Sequence, residues 1–255
     1  MSRPEIVEVT NNSLRRQFVS VPWAVFPFDS NYVPSLRMDS FRLINPKYHP
    51  FWEFSKQSLY IAFRDGRVVG RIAAIIDDRY NTYHHEKMGI WGFFDCLDDE
   101  QAAHDLFRAA EKWIKSHDME FVRGPLNPST NYEVGLLIDG FENFPALMMP
   151  WNFPYYLKLV EANGYEKEKD LLSMRLNKKD PLSPKIQRLA ARVRRKTQVT
   201  IKPFSKKTYW DDIRLLADIY HDAWSDNWGF VPMSENEIRQ MGKNLKRAME
   251  PDMIF

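Results

Sequence analysis

The stretch from Met88 to Lys115 constrains the fold more than any other. Ile90-Trp91-Gly92-Phe93-Phe94 is continuously apolar, the pattern of a strand covered on both faces. Gly92 inside it signals a bulge or a close backbone approach. Behind it, Ala102, Ala103, Leu106, Phe107, Ala110, Trp113 and Ile114 recur at helical spacing on one face, with Asp105, Arg108, Glu111, Lys112 and Lys115 on the other. Asp98, with Gln101 three residues on, reads as the N-cap of that helix. A buried strand feeding a long amphipathic helix requires a sheet with helices packed against it.

The flanking sequence extends the same architecture. Residues 59–64 and 68–77 surround Asp65-Gly66, a two-residue hairpin signal because both positions favour positive φ. Residues 6–9 read as a short strand, and Asn12 or Ser13 as the cap of a helix running toward Val21. Pro22, Pro27 and Pro34 then interrupt an aromatic stretch of Trp23, Phe26, Phe28 and Tyr32. It is too apolar for a free linker and is expected to lie over the core or line a cleft. After the long helix come a strand at 120–123 ended by Gly124-Pro125, a long loop from Arg123 to Glu133, and a Pro-bounded helix at 154–163. Gly164 suits the left-handed position past that helix. Residues 171–176, with Ser173 and Arg175 alternating, read as a closing strand.

The C-terminal third differs in charge. Residues 178–207 hold eleven Lys/Arg and one acid, so the rest of a +2 chain sums to −8. Within that segment 184–196 reads as a helix with Ile186, Leu189, Ala190 and Val193 on one side. A charged linker helix docked between domains is the preferred reading, with anionic lipid or nucleic acid as alternatives. The interleaved aromatics that base stacking requires are missing. Residues 199–202 read as a strand and 209–224 as a helix (Ile213, Leu216, Ala217, Tyr220, Ala223 and Trp224 inward). Ser234-Glu235-Asn236-Glu237 is a capping box opening a further helix with Ile238, Met241, Leu245 and Ala248 inward. Met253-Ile254-Phe255 reads as a strand start, so the sequence is expected to be cut inside a second unit.

Several function classes are disfavoured. The single Cys96 precludes an intramolecular disulfide or a Cys-based zinc cluster, and its apolar setting makes it a core residue rather than a nucleophile. His84-His85-Glu86 are neighbours in a turn without a third ligand at helpful spacing, so no metal is expected. No Ser-His-Asp order, phosphate loop or dinucleotide fingerprint is present. No window approaches the ~18 apolar residues of a membrane span, and Met1-Ser2-Arg3-Pro4-Glu5 does not open a signal peptide, so a cytoplasmic protein is expected.

The element order over residues 6–176, with the string Tyr156-Leu157-Lys158-Leu159-Val160-Glu161-Ala162-Asn163-Gly164-Tyr165, resembles the GNAT acyltransferase superfamily. From Val199 onward the pattern resembles the opening of a second copy. Arg123-Gly124-Pro125-Leu126-Asn127-Pro128-Ser129-Thr130 and Met149-Pro150-Trp151-Asn152-Phe153-Pro154-Tyr155-Tyr156 look like signatures of a tandem GNAT-like bacterial subgroup. The resemblance implies an α/β (α+β) fold with a mixed, mostly antiparallel sheet flanked by helices. It divides the chain into a GNAT-like domain at 1–177, a basic linker at 178–198 and the start of a second module at 199–255.

It also implies acetyl-CoA or acyl-CoA as donor, an amine as acceptor, and packing of the first module against the second. The family's Gln/Arg-x-x-Gly-x-Gly/Ala loop leaves helix N-terminal amides free for a pyrophosphate. Here the equivalent stretch, Asp95-Cys96-Leu97-Asp98-Asp99-Glu100-Gln101-Ala102, has no glycine and four carboxylates. The tyrosine that commonly serves as general acid, four residues before the helix-ending glycine, is Val160. The first module is therefore expected not to bind CoA in the usual way, and any catalytic loop to lie in the second.

The loop from Arg123 to Glu133 is the best site candidate. It combines a cation, the amides of Asn127 and Asn131, the hydroxyls of Ser129 and Thr130, and the carboxylate of Glu133. Equally, Pro125 and Pro128 could stiffen a turn in which Asn and Ser cap the backbone. Asn152, Tyr155 and Tyr156 would add a substrate-facing wall, although such aromatic strings are more often core or interface. The functional expectation is an N-acyltransferase acting on an amine. The alternatives are a non-catalytic GNAT-shaped binding module and, more weakly, a nucleic-acid-associated protein using residues 178–207.

Overall fold

The computed structural model describes residues 2–174, 181–196 and 207–248, together with Asn177, Lys179, Lys202 and Ser205. The strand expected at 199–202 falls almost wholly outside the described residues, and the one at 253–255 entirely so.

The core sheet has five strands, β1 (Glu5–Glu8), β2 (Ser55–Arg64), β3 (Arg67–Asp77), β4 (Met88–Cys96) and β5 (Phe121–Arg123), adjacent in that order. The first three junctions are antiparallel and β4–β5 is parallel. Asp65 and Gly66 turn β2 into β3 with φ of 51° and 74°, as their types demand. The opening helices are α1 (Asn12–Ser20), α2 (Pro22–Val25) and α3 (Arg37–Leu43), followed by a 3-10 turn at Pro50–Glu53. Asn11, one residue before the expected cap, accepts the Leu14 amide at 2.9 Å. Helix α4 (Asp78–His84) occupies the expected turn before β4; Asp77 caps it and His85 ends it at φ 55°.

Helix α5 (Glu100–Lys115) buries Ala102, Ala103, Leu106, Phe107, Ala110 and Ile114, the predicted face. Its cap is Asp99 rather than Asp98, with the Ala102 amide 3.0 Å from Asp99 Oδ1. Two adjacent residues of β3 show how the layers are arranged. A Cβ on Gly70 would lie 3.0 Å from Leu106 of α5, while Arg71 reaches the Phe18 carbonyl of α1 at 2.9 Å. Successive strand residues face opposite sides, so α5 and α1 cover opposite faces of the sheet. That double cover is why every residue from Val69 to Asp77 is buried, and each fully buried large apolar side chain contributes about 1.5–3 kcal/mol.

Two short strands, β6 (Leu126–Asn127) and β7 (Glu133–Val134), pair antiparallel outside the main sheet. Helix α6 (Tyr155–Glu161) follows, and Gly164 takes φ 85° just beyond it. Of the expected closing strand, the described residues 171–174 are not in a strand, and Leu171, Leu172 and Met174 are exposed. Helix α7 (Pro184–Lys196) is exposed along its whole length.

Helices α8 (Tyr209–Trp224) and α9 (Glu235–Ala248) pack on each other, with the Tyr209 hydroxyl donating to Gly242 O at 2.6 Å. The predicted capping box is present, since Glu237 N donates to Ser234 Oγ at 3.3 Å and Ser234 N to Glu237 Oε2 at 3.0 Å. Among the described residues no helix is long and apolar enough to cross a membrane.

Gly92 has no room for a side chain: a Cβ there would lie 1.9 Å from the Leu126 carbonyl oxygen. Gly92→Ala should therefore destabilise the protein by about 2 kcal/mol or more, read as a lowered urea midpoint. An unchanged midpoint would contradict this packing.

Candidate functional site

The site is built on an irregularity in β4. Opposite β3, Arg71 pairs with Asp95 but Ala73 pairs with Gly92, so β4 spends one extra residue over that step. This is a β-bulge, which bends the strand and leaves a residue outside the ladder. Phe93 sits in it at φ 47°, an unusual value for a bulky residue. Past Ile90↔Arg123, β5 no longer follows β4. The chain leaves through cis Gly124-Pro125, runs into β6, and passes cis Asn127-Pro128.

The splayed edge of β4 would present unpaired backbone groups, and side chains take them. Asn127 Oδ1 accepts the Phe93 amide. The Tyr156 hydroxyl accepts the Cys96 amide at 3.1 Å, and the Tyr155 hydroxyl donates to the Cys96 carbonyl at 2.8 Å. Cys96 itself is fully buried and its thiol is pushed up by burial, so it is the core residue its setting predicted.

Asn127 also donates to Glu133 Oε1 at 2.6 Å across the β6–β7 pair. Burial raises the Glu133 carboxyl above its ordinary range; the Asn127 bond and the nearby Arg71 oppose that, and Asp95 adds to it. Asp95 and Arg71 form a buried ion pair at 2.6 Å, with Arg71 stacked 4.9 Å from the Phe18 ring centroid. The Tyr32 hydroxyl lies in the same electrostatic neighbourhood, held protonated by burial and by Asp95. Around this polar group stands an aromatic wall. Phe26 stacks on Tyr32 at 4.0 Å and on Phe153 at 5.5 Å, and meets Trp151 edge-on at 5.9 Å. Of the aromatic stretch at 22–34, Phe26 and Tyr32 pack on the core beside this group, whereas Trp23 and Phe28 are exposed.

The remaining predicted residues are engaged in holding structure. Arg123 pairs with Glu168 at 2.6 Å and donates to the Tyr80 hydroxyl at 2.6 Å. Asn152 is buried and clamps Leu137, accepting its amide at 2.7 Å and donating to its carbonyl at 3.2 Å. Asn131 donates to Val231 O at 3.0 Å and accepts the Tyr220 hydroxyl at 3.0 Å. Beside it, Thr130 donates to Gly229 O, and the Tyr132 hydroxyl donates to Glu237 Oε1 at 3.2 Å. Burial works against the Glu237 carboxylate, but hydrogen bonds from Arg79 and Ser234 outweigh it and hold it below its ordinary range. The site loop is therefore fastened from behind by α8, α9 and the turn between them.

Of the seven predicted residues, Asn127 and Glu133 meet directly, Tyr155 and Tyr156 line the same β4 edge, and Arg123, Asn131 and Asn152 support the loop. Arg71, Asp95, Tyr32 and Phe93 were missed. One signal was available: a lone arginine within the otherwise apolar run 68–76 needs a buried partner.

The start of α5 is filled rather than merely acidic. Asp99 caps the Ala102 amide and takes a two-point bond from Arg64 at 2.8 and 2.9 Å. Arg3 is paired with Asp105 and Lys158 with Glu100. Asp95 belongs to β4, not to a phosphate-facing loop. The repulsion expected from four carboxylates is thus mostly compensated, and occupancy is what opposes a pyrophosphate here. These residues do not fit the phosphates of CoA.

The strand order, the parallel β4–β5 pair opening at a bulge, and α5 packed beneath the sheet agree with the architecture that the sequence resembles. The chain folds as a mixed, mostly antiparallel sheet flanked by helices. No family profile matches it. It is 34% identical over 246 residues to Protein YghO of Escherichia coli (strain K12), covering 96% of this chain and 62% of that protein. It is 32% identical over 253 residues to a bacterial ceramide synthase of Caulobacter vibrioides, covering 98% of this chain and 65% of that protein. The chain thus spans less than two thirds of either relative's length. Among solved structures it is similar to AAC(6')-Iy in complex with a CoA bisubstrate analogue, at 13% identity and TM-score 0.42 over 69% of this chain and 99% of that one. A tandem GNAT protein from the clavulanic acid biosynthesis pathway matches at 13% identity and TM-score 0.39, over 63% and 43% of the two chains.

Two measurements probe the buried charges. Arg71→Met leaves Asp95 buried without its cation and should cost about 3–5 kcal/mol, whereas Arg71→Met with Asp95→Leu should regain most of that loss in urea denaturation. For Glu133 the raised carboxyl means that ionisation is harder in the folded than in the unfolded chain. Its contribution is therefore most favourable below the ordinary glutamate range and declines as pH rises through the folded value. The stability of wild type relative to Glu133→Gln should fall between pH 4 and pH 7; a flat difference would contradict the assigned environment.

Proposed function

We propose that this chain forms the acceptor side of an N-acyltransferase, holding a long-chain amino alcohol with its nitrogen at Glu133. The observation that carries the reading is a single carboxylate, bonded by Asn127 at the β4 bulge, set against the aromatic wall of Phe26, Tyr32 and Phe153. Such a site suits a molecule with one cationic end and an apolar body. A ceramide is the amide of a fatty acid with a long-chain amino alcohol, and one relative over 98% of the chain carries the name ceramide synthase.

An amine attacks a carbonyl only as the neutral base, so the ammonium must first lose a proton. Glu133, with its raised carboxyl, accepts that proton more readily than an exposed glutamate would. Arg71 and Asp95 lie beside this carboxylate as an ion pair. Tyr155, Tyr156 and Asn127 hold the edge of β4 rigid behind the nitrogen. The filled start of α5 supports a donor whose phosphates are held by other parts of the protein. That same occupancy favours the second reading, a GNAT-shaped binding unit without catalysis.

Glu133→Gln, in the protein expressed from its whole coding sequence, should slow amide formation between a long-chain amino alcohol and a fatty acyl thioester by about 10²-fold or more. An unchanged rate in a folded variant overturns the base assignment. With this chain, sphinganine should raise the melting temperature, since a ligand at ~100 times its Kd adds ~2.7 kcal/mol, while acetyl-CoA should not. Binding of sphinganine without any effect of Glu133→Gln on turnover would favour the non-catalytic reading.

A further inference from the structure

Helix α7 is amphipathic and strongly basic. It carries six cations, Lys185, Arg188, Arg192, Arg194, Arg195 and Lys196, and no acid. Ile186, Leu189, Ala190 and Val193 recur at i, i+3, i+4 and i+7, which places them on one face. On that face Ile186 is 51% exposed and Leu189 57%. A helix of this length is marginal in water by itself. Its apolar stripe calls for an apolar surface and its cations for an anionic one.

We propose that α7 lies on the surface of an anionic phospholipid bilayer, with Ile186 and Leu189 at the acyl boundary and the arginines and lysines among the headgroups. The two halves of the helix match the two halves of that interface, apolar below and negatively charged above. Leu182, exposed one turn before Ile186, extends the apolar edge. Ser183 caps the helix, accepting the Ile186 amide at 3.4 Å, so the turn that presents Ile186 is locally fixed. Nucleic acid would use the cations but not the apolar stripe, and α7 contains no aromatic residue to stack on a base. The inference rests on α7 alone and stands apart from the acyl-transfer reading. It would bring the chain to the surface in which long-chain amines partition.

Vesicle flotation tests it, using the protein expressed from its whole coding sequence. Vesicles of phosphatidylcholine with 30% phosphatidylglycerol should carry the protein up the gradient, and pure phosphatidylcholine vesicles should not. Raising salt from 50 to 500 mM should weaken binding. Arg188→Glu with Arg192→Glu should reduce it by on the order of tenfold or more, and Leu189→Asp should reduce it at low salt with the charges intact. Because these side chains are exposed, the variants should keep the wild-type melting temperature and sphinganine response. No flotation with the phosphatidylglycerol vesicles overturns the proposal. So does binding that Leu189→Asp leaves unchanged, and so does tighter binding to a DNA duplex than to those vesicles.

Discussion

The close approach of residues 124–127 to β4 is the contact on which the rest of the site depends. It exists because two glycines face each other's backbone: a Cβ on Gly92 would strike the Leu126 carbonyl, and one on Gly124 would lie 2.3 Å from the Trp91 carbonyl. With that approach made, Asn127 is near enough to satisfy the bulge amide with its oxygen and Glu133 with its nitrogen. One amide side chain thus links strand irregularity, hairpin β6–β7 and the candidate base. A larger residue at position 92 would separate all three at once.

The polar centre is tolerable only because its charges are matched. Asp95 has Arg71, and Arg71 in turn satisfies the Phe18 carbonyl of α1. Glu133 has only a neutral hydrogen-bond partner in Asn127, and burial raises its carboxyl, as burial also raises that of Asp95 against the pull of Arg71. The Glu237 cluster, one loop away, has its cation in Arg79 and its amides in the capping box, and its carboxyl falls. The half-buried Glu133 and the buried Glu237 are therefore held differently, one by an amide and the other by a cation and its capping box.

What could be read from the sequence was local. The Asp65-Gly66 turn, the buried face of α5, the Ser234–Glu237 box and the left-handed Gly164 each depend on residues within four positions. Gly92 announced either a bulge or a close approach, and both occur. What could not be read depends on partners far along the chain. Asp95 and Asp99 looked alike in an acidic run, yet Arg71 draws one into the sheet and Arg64 fixes the other as a cap. Arg123, Asn131 and Asn152 have the chemistry of ligand contacts. Only their partners Glu168, Val231 and Leu137 reveal that they are spent on the fold.

The filled start of α5 and the bracing from α8 and α9 have a common consequence. Asp99 occupies an amide at the start of α5, and Tyr155 and Tyr156 occupy the backbone groups of Cys96 in β4. Each of these contacts needs a rigid backbone to keep it seated. The loop that carries Asn127 and Glu133 obtains that rigidity from outside the first unit, through Gly229, Val231, Tyr220 and Glu237. Residues 209–248 thus serve as the brace that keeps the loop of Asn127 and Glu133 in register with β4, which is the rigidity the proposed acceptor site requires.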